Sequence, residues 1–215
     1  MPLLETPSDS AIALSRHGLV EYQKAWESQR AIHQDVVDGK RPNTLLLLEH
    51  PSVYTAGKRT QAFEFPNDGT PVINVDRGGR ITWHGPGQIV CYPIMKLDDP
   101  VDVVAHVRRL ELLIMNVCSK LGLETTQIEG RSGVWVKGNG YPDKKIAAIG
   151  IRVAKKATMH GFALNCNNSL DPYETIIACG IKDAATSTIS ELLQVNVTPA
   201  MAADVIQRRL TEIGK

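Results

Sequence analysis

The chain has 215 residues, 43% of them hydrophobic and 22% charged, with a formal net charge of +1. These values fit a globular protein with a sizeable core and argue against bulk binding to nucleic acid or to a membrane surface. Aromatic residues make up only 5%, too few for platforms that stack single strands, and no apolar run is long enough to span a bilayer. Met1 to Ser10 carries acids and prolines and lacks a signal peptide's basic start and apolar centre, so the expected compartment is the cytoplasm. Cys91, Cys118, Cys166 and Cys179 are scattered with no C-x-x-C pair, which disfavours a zinc site and, in a reducing compartment, a disulfide framework.

No repeat, low-complexity tract or linker divides the chain. Val20 to Val37 has helical periodicity, with Tyr22, Ala25, Trp26, Ile32 and Val36 on one stripe and Gly39 at its close. Thr44 to Leu48 predicts a strand buried on both faces, ended by Pro51. Val72 to Val75 predicts another, after the loop carrying Pro66, Asn67, Asp68 and Gly69. Gly78 to His84 allows a strand with Gly78, Arg80, Thr82 and His84 on one face. Gly85-Pro86-Gly87 turns the chain into a strand over Gln88 to Ile94, stopped or edged by Pro93.

Asp102 to Leu121 is the clearest helix: Val103, Val107, Leu110, Ile114, Val117 and Leu121 recur at helical spacing, and Cys118 falls on their buried side. Gly133 to Lys137 predicts a short strand. Lys144 to Val153 alternates, with Lys145, Ala147, Ile149, Ile151 and Val153 on one face, and Thr158 to Cys166 pairs with it through a turn near Lys155 and Lys156. Asp171-Pro172-Tyr173-Glu174 has helix-start grammar and predicts a short helix through Ile177, stopping near Gly180. Thr198-Pro199 opens a last helix with Val205, Ile206, Leu210 and Ile213 on its apolar side. Together these elements predict one α/β (α+β) domain over residues 1–215, a mixed sheet with packed helices.

Two places suggest chemistry. Arg77-Gly78-Gly79-Arg80-Ile81-Thr82-Trp83-His84-Gly85-Pro86-Gly87-Gln88 combines open backbone with arginine and histidine donors, which suits a ligand wall. The plainer reading is a glycine-rich hairpin with a surface histidine. Ala178-Cys179-Gly180 puts a thiol at a helix end, where the dipole opposes a thiolate, so a nucleophile there needs a nearby cation. Lys145, the only charge on an otherwise apolar strand face, is a candidate, since a desolvated lysine can act as a base. Taken singly, a cysteine is usually core, and Lys145 also fits an exposed place at a strand's start.

RGGRITWHGPGQ, then KIAAIGIRV with HGFALNC, then ACGI, in this order and spacing, resembles the octanoyltransferase family, also called lipoate–protein ligase B. The similarity runs from about Leu19 to about Leu192. The resemblance implies a fold like the biotin and lipoate ligase catalytic domains. It also implies transfer of an octanoyl group from acyl carrier protein to a lysine of a lipoyl domain, the first step of endogenous protein lipoylation. The family's acyl-accepting cysteine falls on Cys179, and its lysine within K-[IV]-A falls on Lys145, not Lys144. Its substrate-contacting stretches fall on Arg77 to His84 (Arg77, Gly78, Gly79, Arg80, Ile81, Thr82, Trp83 and His84), on Ala148, Ile149 and Gly150, and on Gly161, Phe162 and Ala163.

The mechanism so implied passes through a Cys179 thioester, with Lys145 managing protons. His50 and His160 are further candidates for lining the site; for His160 the alternative is a strand-end histidine held by a backbone bond. No cofactor or metal is expected, because phosphopantetheine arrives on the donor and its thioester already carries the activation. The implied partners are octanoyl-acyl carrier protein, the lipoyl domains of 2-oxoacid dehydrogenase complexes and the glycine cleavage H protein. Neither nucleic acid nor membrane is expected, and the expected state is a monomer. Lys58-Arg59 and Arg108-Arg109 are possible docking charges for the carrier. Two rival readings are an ATP-dependent lipoate or biotin ligase, which has no need of Cys179, and a non-catalytic protein that binds the carrier or the lipoyl domain.

Overall fold

A computed structural model describes residues 12–66, 69–176 and 184–210. The first half runs β1 (Ile12–Leu19), α1 (Tyr22–Val37), β2 (Asn43–Glu49), β3 (Val53–Ala56), β4 (Val72–Asn74), β5 (Thr82–His84), β6 (Gln88–Ile94) and α2 (Val103–Lys120). The second runs β7 (Thr126–Ile128), β8 (Arg131–Val136), β9 (Lys144–Ala154), β10 (Ala157–Asn165), β11 (Ala185–Thr186), α3 (Ile189–Leu193) and α4 (Pro199–Arg208). The main sheet is mixed, in the order β1-β2-β6-β10-β9-β8-β7, with β11 added in parallel beside the start of β9. A second small sheet, β4-β3-β5, carries the chain towards the glycine-rich stretch.

Alternation along the central strands builds two cores, one on each face. Leu46 and Leu48 of β2, with Val90, Tyr92 and Ile94 of β6, pack under Ala25, Ile32 and Val36 of α1. Leu45 and Leu47, with Ile89 and Cys91, pack on the other face against Ile114, Val117 and Cys118 of α2 and Ala202 and Ile206 of α4. β2 is therefore buried on both sides, as its unbroken leucine run predicts. Asp102 caps α2 by accepting the Ala105 N–H at 2.8 Å, and Thr198 caps α4 through the Met201 N–H.

Several expectations are corrected. Residues 76–79 form a bend, not a strand; Gly79 at φ +86° breaks the extended path, and only Thr82–His84 of the expected strand pairs with β3. Pro93 neither stops nor edges β6, which runs through it between β2 and β10. Its missing N–H is tolerated because β10 kinks opposite it, at His160 with φ +59°, before pairing resumes at Thr158 and Met95. The stripe of α2 starts one turn late: Val103 is exposed, and His106 and Glu111 are buried instead. The helix expected from Asp171 is a single 3₁₀ turn over Asp171–Tyr173, and Ile177 to Gly180 lie outside the described residues, as does Ile213.

Candidate active site

On the α1 face of the sheet, the kink in β10 and the bend after Asp76 leave a cleft of about 310 Å³, at the lower end of the range for small-molecule sites. Its walls include Val90 and Tyr92 of β6, Gly161, Phe162 and Ala163 of β10, and Tyr22 of α1. Lys145, Ala148, Ile149 and Gly150 line it from β9, and Arg77, Gly79, Arg80, Thr82 and His84 from the glycine-rich stretch. Predicted His160 lines it too, whereas Gly78, Ile81 and Trp83 sit behind the wall. Gly78 donates its N–H to Ile151 O at 2.9 Å, which fastens the bend to β9. Ile81 and Trp83 turn away into a core with Tyr54 and Ile176. Cys179 lies outside the described residues.

The placing of Lys145 departs from simple alternation. Register shifts between β8 and β9, so that Val134 pairs with Ala147 and Trp135 with Lys145. The extra residue in β9 is a bulge, which re-aims side chains at one point in a strand. Ile146 and Ala147 both enter the core with α2, while Lys145 faces the cleft together with Ala148 and Gly150. The expected shared face with Ala147 is therefore wrong. Lys145 is 9% exposed, whereas Lys144 is half-buried and pairs with Glu191 at 3.4 Å.

Arg77 builds the wall as well as lining it. Its guanidinium is buried and donates to Thr55 O and Oγ1, each at 2.8 Å, to Arg80 O at 2.8 Å and to Gly78 O at 3.1 Å. Arg80 pairs with the fully buried Glu64 at 2.7 Å. With Arg59, Arg131 and Lys145, these put five cations and no carboxylate among the described lining residues. Of the possible docking charges, Arg59 thus belongs to the cleft, while Arg108 is held by Glu111 at 2.6 Å.

The histidines are held in defined states. His50 donates from Nδ1 to Val20 O at 2.6 Å and so accepts the Tyr92 hydroxyl on Nε2 at 2.7 Å. His84 donates from Nδ1 to Gln88 Oε1 at 2.8 Å; Gln88 is itself fixed by Asn165 and Tyr173. The ring of Tyr22 stacks on His84 at 6.0 Å and lies 5.0 Å from His50, which stands behind the cleft wall. Burial pushes His50 down to about 4 and His84 down to about 3. Burial likewise lowers His160, although its Nε2 bonds Asp76 at 2.7 Å, with Arg152 on the other oxygen of that carboxylate. Its ring is thus held by a side chain, not by the backbone bond that was the alternative.

A pH dependence of stability follows. At pH 7 His50 and His84 are neutral whether the chain is folded or not. Below about 6.5 the unfolded chain takes up protons that the folded one refuses, so stability falls with pH until the folded values near 4 and 3 are passed. Denaturant midpoints should drop between pH 7 and pH 4.5, and His50→Gln should flatten that slope. An unchanged slope in the variant would show that His50 is not buried neutral.

Small residues on β10 have two uses. A Cβ on Gly161 would lie 2.1 Å from Cys91 O and 2.5 Å from Pro93 Cδ, so its smallness is needed first for strand approach at the kink. Ala163 lines the cleft and also packs under α1. Tyr22, Tyr92, Arg131, Ser132 and Asp76 are lining or supporting residues that the sequence does not assign to the site. Only Tyr22 carried a signal, its place on the helical stripe.

The structure is thus a mixed sheet with a cleft walled by an arginine-glycine bend and a buried lysine. The chain matches the family described as the lipoyl protein ligase A/B catalytic domain over residues 21–211 and belongs to it. Within that family it belongs with the octanoyltransferases. It is 55% identical over 201 residues to the octanoyltransferase of Acidothermus cellulolyticus, covering 94% of this chain and 91% of that one. It is 58% identical over 198 residues to the octanoyltransferase of Leifsonia xyli subsp. xyli, covering 91% and 88%. Among solved structures, a bipartite lipoate protein ligase from Thermoplasma acidophilum superposes with a TM-score of 0.69 at 16% identity, covering 94% of this chain and 82% of that one. No helix among the described residues is long and apolar enough to cross a membrane.

Proposed function

We propose that this octanoyltransferase moves an octanoyl group from acyl carrier protein to a lipoyl-domain lysine through a thioester on Cys179, with Lys145 as the proton-handling residue. The observation that carries the reading is the buried Lys145 at the cleft wall, re-aimed there by the bulge in β9. Support for Cys179 comes from its neighbours and from the other thiols. The chain enters its segment from Ile176, packed beside β5, and leaves it into β11, which lies alongside Lys144 and Lys145. Cys91, Cys118 and Cys166 are buried, and burial raises all three thiols, Cys118 and Cys166 to about 12. None of these three suits a nucleophile near neutral pH.

In the first half-reaction the Cys179 sulfur attacks the thioester carbonyl and its proton passes to Lys145. The intermediate collapses, the bond to the phosphopantetheine sulfur breaks, and that sulfur takes the proton from Lys145. In the second, the neutral amine of the acceptor lysine attacks octanoyl-Cys179. The amide bond forms, the C–S bond breaks, and the amine's proton returns through Lys145 to the Cys179 sulfur. The apolar wall of Val90 and Ala163 suits the acyl chain, and the arginines suit the donor's anionic arm.

The donor thioester already carries the free energy of activation, so this chemistry draws on no nucleotide. Transfer from octanoyl-acyl carrier protein to a lipoyl domain should therefore proceed without ATP. Transfer only when ATP and free octanoate are supplied would assign a ligase instead.

A further inference from the structure

Lys145 reaches the cleft by way of its neighbour strand. On β8, Arg131, Gly133 and Trp135 share one face, while Val134 points into the opposite core. Trp135 is the cross-strand partner of Lys145, and the lysine Nζ lies 5.1 Å from the centroid of its ring. Gly133 stands at φ +114°, and a Cβ there would lie 2.7 Å from Lys145 Cε and 3.3 Å from Nζ. The lysine stem therefore occupies the space that a side chain at position 133 would fill. Glu111 of α2, fully buried, fixes this backbone by accepting the Gly133 N–H at 2.9 Å.

Trp135 is fully buried, yet its indole N–H has no hydrogen-bond partner among the described residues. An unpaired buried N–H is a cost that a phenylalanine would not carry, so what Trp135 offers here is its ring. An aromatic face holds an ammonium group by its quadrupole, more strongly where water is excluded, so the ring steadies Lys145 in the state that carries the proton taken from Cys179.

We propose that Trp135 is a positioning residue for octanoyl transfer: its ring holds Lys145 Nζ at the cleft, and Gly133 supplies the gap through which the stem passes. This rests on the reading of Lys145 as the proton-handling group. The test is steady-state transfer from octanoyl-acyl carrier protein by Trp135→Leu, Trp135→Phe and Lys145→Ala, each checked for native circular dichroism. Trp135→Leu should lower kcat about tenfold with KM for the carrier unchanged, and Trp135→Phe, which keeps a ring, should restore most of the rate. If Trp135→Leu does not fold, Trp135→Met takes its place with the same expectation. Equal losses in the ring-keeping and ring-lacking variants, or no loss in either, would overturn the inference while Lys145→Ala stays inactive. Wild-type transfer by Lys145→Ala would instead overturn the reading beneath it.

Discussion

Replacing Lys145 by alanine should lower octanoyl transfer by about two to four orders of magnitude, the usual contribution of a positioned acid–base group. Lys144→Ala should leave transfer close to that of the parent. The two residues are adjacent, carry the same charge and differ in surroundings. Lys144 meets Glu191 on a half-exposed surface, where an ion pair contributes little. Lys145 is buried and faces the cleft because the bulge in β9 re-aims it. Its loss removes the group that takes the thiol proton in the first half-reaction and relays the amine's proton in the second, so both should slow. Lys145→Ala should keep native circular dichroism, because the side chain lies against a cleft wall, not inside either packed core. Comparable rates in the two alanine variants would remove Lys145 from the mechanism.

How far the residues foretold this arrangement depends on which physical rule governed each stretch. The leucines of β2 and the capped, periodic α2 follow from burial and local hydrogen bonding, which neighbouring residues determine. β1 was missed because an edge strand with Arg16, His17 and Gly18 near its end carries a weak pattern. β3 and β11 are short, and their pairing depends on partners distant in sequence. Alternation put Lys145 on the right strand but with the wrong neighbours, since a bulge leaves no mark in a run such as Lys144 to Gly150. Pro93 looked like an edge because its tolerance depends on the kink at His160 in the facing strand. Of the arginine-glycine stretch, Arg77, Gly79, Arg80, Thr82 and His84 line the cleft while Gly78, Ile81 and Trp83 do not, because a bend fastened by Arg77 and by the Gly78 N–H sets their directions, contacts that composition does not express.

Cys179→Ala should abolish transfer altogether, a larger effect than the loss of Lys145, because the acyl group then has no covalent station between donor and acceptor. Cys118→Ala should retain transfer and lose only some stability, since Cys118 is fully buried among Ile114, Val117 and Leu123 and serves packing. Cys91 and Cys166 are likewise fully buried, so a carrier-delivered thioester should not reach them. The most direct test is peptide mapping by mass spectrometry after a short incubation with octanoyl-acyl carrier protein and no acceptor. One hydroxylamine-labile octanoyl group on the peptide containing Cys179 is the expected result. An adduct on Cys91 or Cys166, or full turnover by the Cys179→Ala protein, would contradict the covalent mechanism.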